Sequence, residues 1–214
     1  MAMIAVFIAV SNSIIDSGFS NALIRKVHIK RIDYNTVFYF NIVVSVFLYI
    51  SLFVASPAIS IFLKEPILIN IMRIIGLILI INALSIIPRT VFVRNINFKT
   101  QTKVSLISSI GSGFVGISMA LAGMGVWSLV GQQLSRQLLN TSFLWMFCKW
   151  HPNLEFSLKS FNELFGFGSK LLLSGLINTI YQNIYYIIIG RFYASSLLGQ
   201  YTRAEQFIQY FPLI

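Results

Sequence analysis

Arg73, Arg136 and Lys170 stand inside long apolar stretches of this chain. A cation in hydrocarbon is costly, so such groups face a bundle interior or a watery cavity and bind or pair there. Polar neighbours recur beside them at helical spacing. Gln132, Arg136 and Asn140 fall at i, i+4 and i+8, with Gln133 alongside. Lys170, Ser174, Asn178, Gln182 and Tyr185 make a second stripe, and Asn41, Ser45 and Tyr49 a weaker third. Cations flanked by amides suit one kind of chemistry, the holding of an anionic, hydroxylated ligand. Arg136 lies ten residues from Val126, about 15 Å down a helix and far from either interface. Arg73, six residues from Ile67, is about 9 Å deep. Each arginine fits a cavity role or a structural pairing, for Arg136 with Asp16 or with backbone carbonyls. Lys170 fits an interfacial anchor as well as a ligand, because it can snorkel. Asp16 fits coupling to protons or pairing with an arginine.

The elements that carry these residues follow from composition. Of 214 residues, 57% are hydrophobic and 10% charged, and mean hydropathy is +0.80. A soluble domain carries about 25% charge, so this chain is a polytopic membrane protein of all-α class. A single cysteine, Cys148, excludes a disulfide scaffold. The net charge of +10 falls between apolar runs rather than in one patch, which argues against a nucleic-acid partner. The apolar runs are Ala2–Ile24, interrupted by Asp16, then Tyr34–Leu63, Ile67–Ile87, Val104 to the glycine turn at Gly123–Gly125, Val126–Phe147 and Leu171–Gly190. They predict six spanning helices, with the stub of a seventh from Phe207 to Ile214. The first lacks the basic flank and cleavage site of a signal peptide.

Positive charge sets orientation. Arg25, Lys26, Lys30 and Arg31, then Arg89, Arg94, Lys99 and Lys103, then Lys149 and Lys159 fall in connections on one side, which is read as cytoplasmic. Lys64, Arg191 and Arg203 fall on the other. This places Met1 outside the cell and leaves the last helix unfinished. The expectation is a fragment with at least one helix before Met1 and more after Ile214; the rival is a small protein with an exported N-terminus.

Some apparent motifs carry little. GSGFVG at Gly111–Gly116 has no preceding strand and, with Ser105, Ser108, Ser109 and Ser112, reads as small-residue helix packing. GFGSK at Gly166–Lys170 lacks P-loop spacing. His28 and His151 stand alone, and no carboxylate pair or metal-ligand cluster exists, so no catalytic residue is assigned. Trp127, Trp145 and Trp150 lie near span ends, as an interfacial belt predicts. The segment Phe156–Phe165 is amphipathic and is expected to lie along the cytoplasmic surface.

Five segments resemble one family: DSGFSNALIR (Asp16–Arg25), NFK (Asn97–Lys99), GMGVWSLVGQQL (Gly123–Leu134), FSLKSFNELFGFGSKLLLSGLINTIYQNIY (Phe156–Tyr185) and LGQYTRAEQF (Leu198–Phe207). They are similar to the Wzx-type oligosaccharide flippases of the multidrug/oligosaccharidyl-lipid/polysaccharide (MOP) exporter superfamily, MATE-like transporters of polysaccharide and lipopolysaccharide biosynthesis. The resemblance implies a protein about twice this length, in two helical lobes. Residues 1–150 would hold the family's second to sixth helices, 151–165 an amphipathic linker, and 166–214 the seventh helix and the start of the eighth. It implies export of undecaprenyl-diphosphate-linked oligosaccharide across the bacterial cytoplasmic (inner) membrane for O-antigen, capsule or exopolysaccharide. No cofactor is implied beyond a proton or sodium gradient. Partners would be the lipid-linked oligosaccharide, membrane lipids, and polysaccharide polymerase and chain-length machinery. Arg136 and Arg73, then Lys170 and Arg25, would hold the diphosphate in a cavity. Gln132, Asn140, Asn178 and Gln182 would line it, the last two meeting sugar hydroxyls. The rivals are a drug or cation exporter, which should favour acidic cavity residues, and a membrane polymerase or glycosyltransferase, which needs catalytic acids.

Overall fold

The computed structural model describes residues 2–16, 18–192, 199–201 and 204. The side chain of Arg191, Arg203, most of Leu198–Phe207 and the apolar stretch from Phe207 lie outside the described residues. Among the described residues eight helices are given in order: α1 (Ala2–Asp16), α2 (Phe19–Arg25), α3 (Arg31–Leu63), α4 (Leu68–Ile75), α5 (Leu77–Arg94), α6 (Phe98–Leu121), α7 (Val126–Phe147) and α8 (Leu158–Phe192). No strand occurs among the described residues. Three helical stretches among them are long and apolar enough to cross a membrane: Arg31–Leu63, Leu68–Arg94 and Phe98–Leu121.

The α4–α5 rod is the centre of the bundle. Its most apolar window is 56% buried, against 17% for α3 and 22% for α6. α5 touches α1, α2, α3, α4, α6 and α7, while α8 packs on α1, α2 and α3. The outer helices turn Val43, Phe47 and Val54 (α3) and Ile110, Phe114 and Ile117 (α6) outward, as lipid-facing walls require. α6 and α7 form a hairpin about Gly123 and Gly125, whose positive φ values of 77° and 55° turn the chain. They approach closely because Gly116 leaves room for Gln132; a Cβ there would stand 3.1 Å from the Gln132 Cβ. The serine and glycine face of α6 is thus a packing face, with Ser108 and Ser112 buried.

Three expectations are corrected. Ala2–Ile24 is not one helix. It is interrupted at Gly18, which adopts φ +68° while α8 crosses so near that a Cβ would lie 2.7 Å from the Gly168 carbonyl oxygen and from the Leu171 Cβ. The second basic connection is not a loop from Pro88 onward. α5 runs through Pro88 to Arg94, leaving only Asn95–Asn97 as the link. Proline has no N–H for the Leu84 carbonyl, and the Trp145 indole N–H donates to that oxygen instead at 3.0 Å. Half-buried Trp145 therefore serves the bundle, and Trp150 is buried. Finally, Phe156–Phe165 is not a separate surface element. From Leu158 it forms the first turns of α8, which continues unbroken for 35 residues, about 52 Å.

Pro57 inside α3 is handled in the same way. The Ser56 hydroxyl donates to the Phe53 carbonyl at 2.8 Å, the acceptor that Pro57 leaves orphaned. At the end of the bundle where the three basic connections meet, Arg94 donates to the carbonyls of Leu23, Ile24, Lys26 and Val27 at 2.7–3.2 Å, closing the C-terminus of α2. Lys26 bridges Asp33 (3.2 Å) and Glu163 (3.1 Å), tying the α2–α3 connection to α8. Burial alone would lower the Lys26 pKa; hydrogen bonds to Glu163 and Asp33, with their charges, outweigh it and hold the amine above its usual value. An aromatic core of Phe19, Phe38, Phe40, Trp145, Trp150 and Phe161 fills the same end.

The interruption at Gly18 gives a test. Gly18→Ala forces a side chain into α8 at a left-handed backbone position and should destabilise the protein by roughly 1–3 kcal/mol, read as a lower thermal midpoint in detergent. Gly113→Ala, where a Cβ meets nothing within 4 Å, should leave the midpoint unchanged or raise it.

Candidate functional site

Asn82 on α5 organises the polar interior. Its Oδ1 accepts from the Gln137 side-chain amide of α7 (3.1 Å) and from the Ser85 hydroxyl (3.3 Å). Its Nδ2 donates to the Asn12 Oδ1 of α1 at 2.8 Å. A chain of amides thus crosses three helices at the heart of the bundle. On either side of it lies a cavity.

The first, of about 640 Å³, opens between α5, α6 and α7. Arg89 and Arg136 are its charged residues; Gln101, Thr102, Ser105, Ser108, Gln137 and Asn140 supply polar groups. Ser108 is 1% exposed, and its hydroxyl has no hydrogen-bond partner among the described residues. The second, of about 810 Å³, lies between α1, α2, α5 and α8. Its wall includes Asn12, Ser13, Asp16, Asn21, Asn82, Arg89, Ser174 and Thr179. Asp16 accepts from the Ser20 hydroxyl across the α1–α2 break.

Arg89 lines both cavities. Among the described residues neither Arg89 nor Arg136 has a carboxylate within 4.0 Å, and the charge of Asp16 acts on Arg89 from farther away. Two guanidiniums lining one cleft, with no acid in its wall, can hold an anion. Guanidinium suits phosphate in particular, because its planar fork offers paired N–H donors.

The residues expected from sequence are distributed as follows. Arg136 and Asn140 share the first cavity, and Asp16 lines the second. Gln132 packs against Gly116 in the α6–α7 seam. Arg73 is in neither cavity. Its Nε donates to Ser56 at 3.3 Å and its guanidinium lies 4.3 Å from the centre of the Phe53 ring, so it braces α3 at Pro57. Arg25 stacks on Phe167 at 4.7 Å, in a small surface hollow with Lys26 and Glu163. Lys170, Asn178 and Gln182 are exposed on α8, beside the face that lines the second cavity through Leu171, Ser174, Gly175 and Thr179. In the weak α3 stripe, Asn41 and Ser45 are fully buried; neither Asn41 amide atom has a partner among the described residues, and nothing in the structure explains this.

Sequence reasoning missed Arg89, Asn82, Gln137 and Asn12. The charge pattern puts Arg89 in a connection with Arg94, Lys99 and Lys103. Yet Asn82, Ser85 and Arg89 fall at i, i+3 and i+7, and Asn12 and Asp16 at i and i+4; each set marks one helix face.

Residues 1–212 match the model of a family described as polysaccharide biosynthesis protein. The chain is 29% identical over 201 residues to the teichuronic acid biosynthesis protein TuaB of Bacillus subtilis, covering 91% of this chain and 41% of that one. It is 26% identical over 191 residues to the succinoglycan biosynthesis transport protein ExoT of Rhizobium meliloti, covering 89% and 39%. To the lipopolysaccharide biosynthesis protein WzxC of Escherichia coli it is 21% identical over 210 residues, covering 93% and 41%. The chain therefore spans about two fifths of the length of these curated relatives. No solved structure matches it.

The cavities are testable by thiol labelling. The native Cys148 is buried, and burial pushes its thiol pKa up against a partly opposing hydrogen bond from the Trp150 backbone, so it gives a silent background. Cysteines replacing Asn140 or Thr179 should react with a membrane-impermeant methanethiosulfonate in permeabilised cells, and a cysteine replacing the buried Leu79 should not.

Proposed function

Since the chain belongs to the polysaccharide biosynthesis protein family, we propose that it forms part of a carrier that flips undecaprenyl-diphosphate-linked oligosaccharide across the bacterial cytoplasmic membrane. The oligosaccharide would then enter O-antigen, capsule or exopolysaccharide. The physical task is to take a charged, hydrated head through about 30 Å of hydrocarbon. A cleft lined by arginines and amides substitutes for water around the phosphates, while the polyprenyl tail stays in the bilayer.

The observation that carries this reading is the pairing of Arg89 with Arg136 around one acid-free cleft. It suits a diphosphate and opposes a cationic drug. It also opposes a polymerase or glycosyltransferase, whose chemistry needs carboxylates at the reacting centre; the protein acts as a carrier rather than an enzyme. Among the described residues no group of three or more His, Cys, Asp or Glu side chains is placed to hold a metal.

In this reading α1–α2, α3, α4–α5, α6, α7 and α8 make six crossings. Residues 1–150 form most of a first lobe, 151–165 the link, and 166–214 the start of a second. Rocking of the lobes gives alternating access. Lys170, Asn178 and Gln182 on the exposed side of α8 then face the second lobe across the transport path, and Arg25 stands at its cytoplasmic entrance. A proton or sodium gradient supplies the drive.

The test is complementation of a strain lacking this gene with variants of the native gene product. Arg89→Ala and Arg136→Ala should each lower surface polysaccharide at least about tenfold at unchanged membrane abundance, with Lys at either position restoring part of it. Arg73→Ala should instead lower abundance, because it unbraces α3. Normal polysaccharide from the Arg89→Ala, Arg136→Ala double variant would overturn the proposal.

A further inference from the structure

The second cavity has a different chemistry from the first. Apart from Arg89 and Asp16 its wall carries no charge, and its polar groups are amides and hydroxyls. Two of them are joined by a hydrogen bond. Gln137 donates to Asn82 Oδ1, and the Asn82 amide nitrogen donates to the Asn12 oxygen. The Asn12 oxygen is thereby occupied, and its Nδ2 is left as a donor without a partner among the described residues. One helical turn further, Asp16 Oδ1 is taken by Ser20, and Oδ2 is left as an acceptor on the same terms. A free donor and a free acceptor therefore project from adjacent turns of α1, roughly 5–6 Å apart at their Cβ atoms. Around them Ile24, Ile86, Leu171 and Leu172 supply apolar wall.

That combination matches a saccharide. Adjacent ring hydroxyls both donate and accept, so they can satisfy an amide N–H and a carboxylate together, and the C–H faces of the ring suit the apolar wall. A phosphate has no proton to offer Asp16 and is repelled by it. The volume of about 810 Å³ is within the range of small-ligand sites, roughly 300–1,000 Å³. Arg89 stands in both walls, so the two cavities meet at one guanidinium.

Resting on the carrier reading above, we infer that the cavity between α1, α2, α5 and α8 is a saccharide subsite in which Asn12 and Asp16 bind adjacent sugar hydroxyls and Thr179 closes the far wall. Of the α8 stripe only Ser174 lines it; Lys170, Asn178 and Gln182 do not take part.

The experiment measures binding to the native gene product in nanodiscs. Two probes are used: the host's own lipid-diphosphate oligosaccharide, extracted from its membranes, and undecaprenyl diphosphate alone. Asn12→Ala and Asp16→Asn should weaken the oligosaccharide lipid about tenfold and the bare lipid by less than about twofold. Arg89→Ala should weaken both. Thr179→Val, outside the amide chain, should repeat the selective loss more mildly, which guards against Asn12→Ala merely loosening the bundle. Equal losses for both lipids, or no loss of the oligosaccharide lipid, in Asn12→Ala, Asp16→Asn and Thr179→Val would overturn the subsite. So would wild-type protein that binds the two lipids equally. Wild type that binds neither lipid overturns the carrier reading, and the subsite with it.

Discussion

Every polar group in the apolar part of this bundle must find its partner inside the protein, because hydrocarbon offers none. The structure meets that demand repeatedly with side chains. Trp145 and Ser56 satisfy the carbonyls that Pro88 and Pro57 cannot. Arg94 caps four carbonyls where α2 ends. Arg73 reaches the hydroxyl that covers the Pro57 gap and rests on an aromatic face, so its charge is spread over two neighbours. These residues are polar for structural reasons. Arg89, Arg136, Ser108 and the free atoms of Asn12 and Asp16 are different: they end at cavities. Asn35, Asn41 and Trp150 keep unpartnered atoms away from both cavities; for the other residues named here, whether the partner is already in place separates the scaffold from the site.

α5 brings both kinds together. It is the most enclosed of the apolar helices, and it holds the amide of Asn82 and the guanidinium of Arg89 two turns apart. Carrying the helix through Pro88 is what makes this possible. Had it ended there, Arg89 would sit in a connection among solvated lysines. Trp145 therefore supports the site indirectly, through a backbone oxygen of the helix that carries it. The same dependence runs through Gly18, whose lack of a side chain lets α8 cross α1–α2 closely enough to close one wall of the second cavity.

The helical class, the apolar runs, the Gly123–Gly125 turn and the small-residue seam of α6 were legible in sequence, because each depends on local composition or spacing. So was the face of α7 that carries Arg136 and Asn140. What could not be read depends on contacts between distant residues. Nothing near Pro88 announces that an indole 57 positions later will take the orphaned carbonyl's bond. Nothing near Arg73 distinguishes an arginine stacked on Phe53 from one in a cavity. The α8 stripe shows the limit of periodicity: the spacing of Lys170, Asn178 and Gln182 is helical, but the face that meets α1 is the adjacent one, with Leu171, Gly175 and Thr179. Register on a helix gives a face, and only the neighbours decide which face is inside.

Charge then fixes how a ligand with an anionic and a neutral part would lie. Arg89 stands between Arg136 on one side and Asp16 on the other. Where the effective dielectric is low, these charges are weakly screened, and the potential falls steeply from the first cavity to the second. An anion is drawn towards the two guanidiniums and away from Asp16; a polyol gains nothing from the first cavity that the second does not offer with better-matched donors and acceptors. The head of such a ligand thus has one favoured orientation, set by electrostatics rather than by shape.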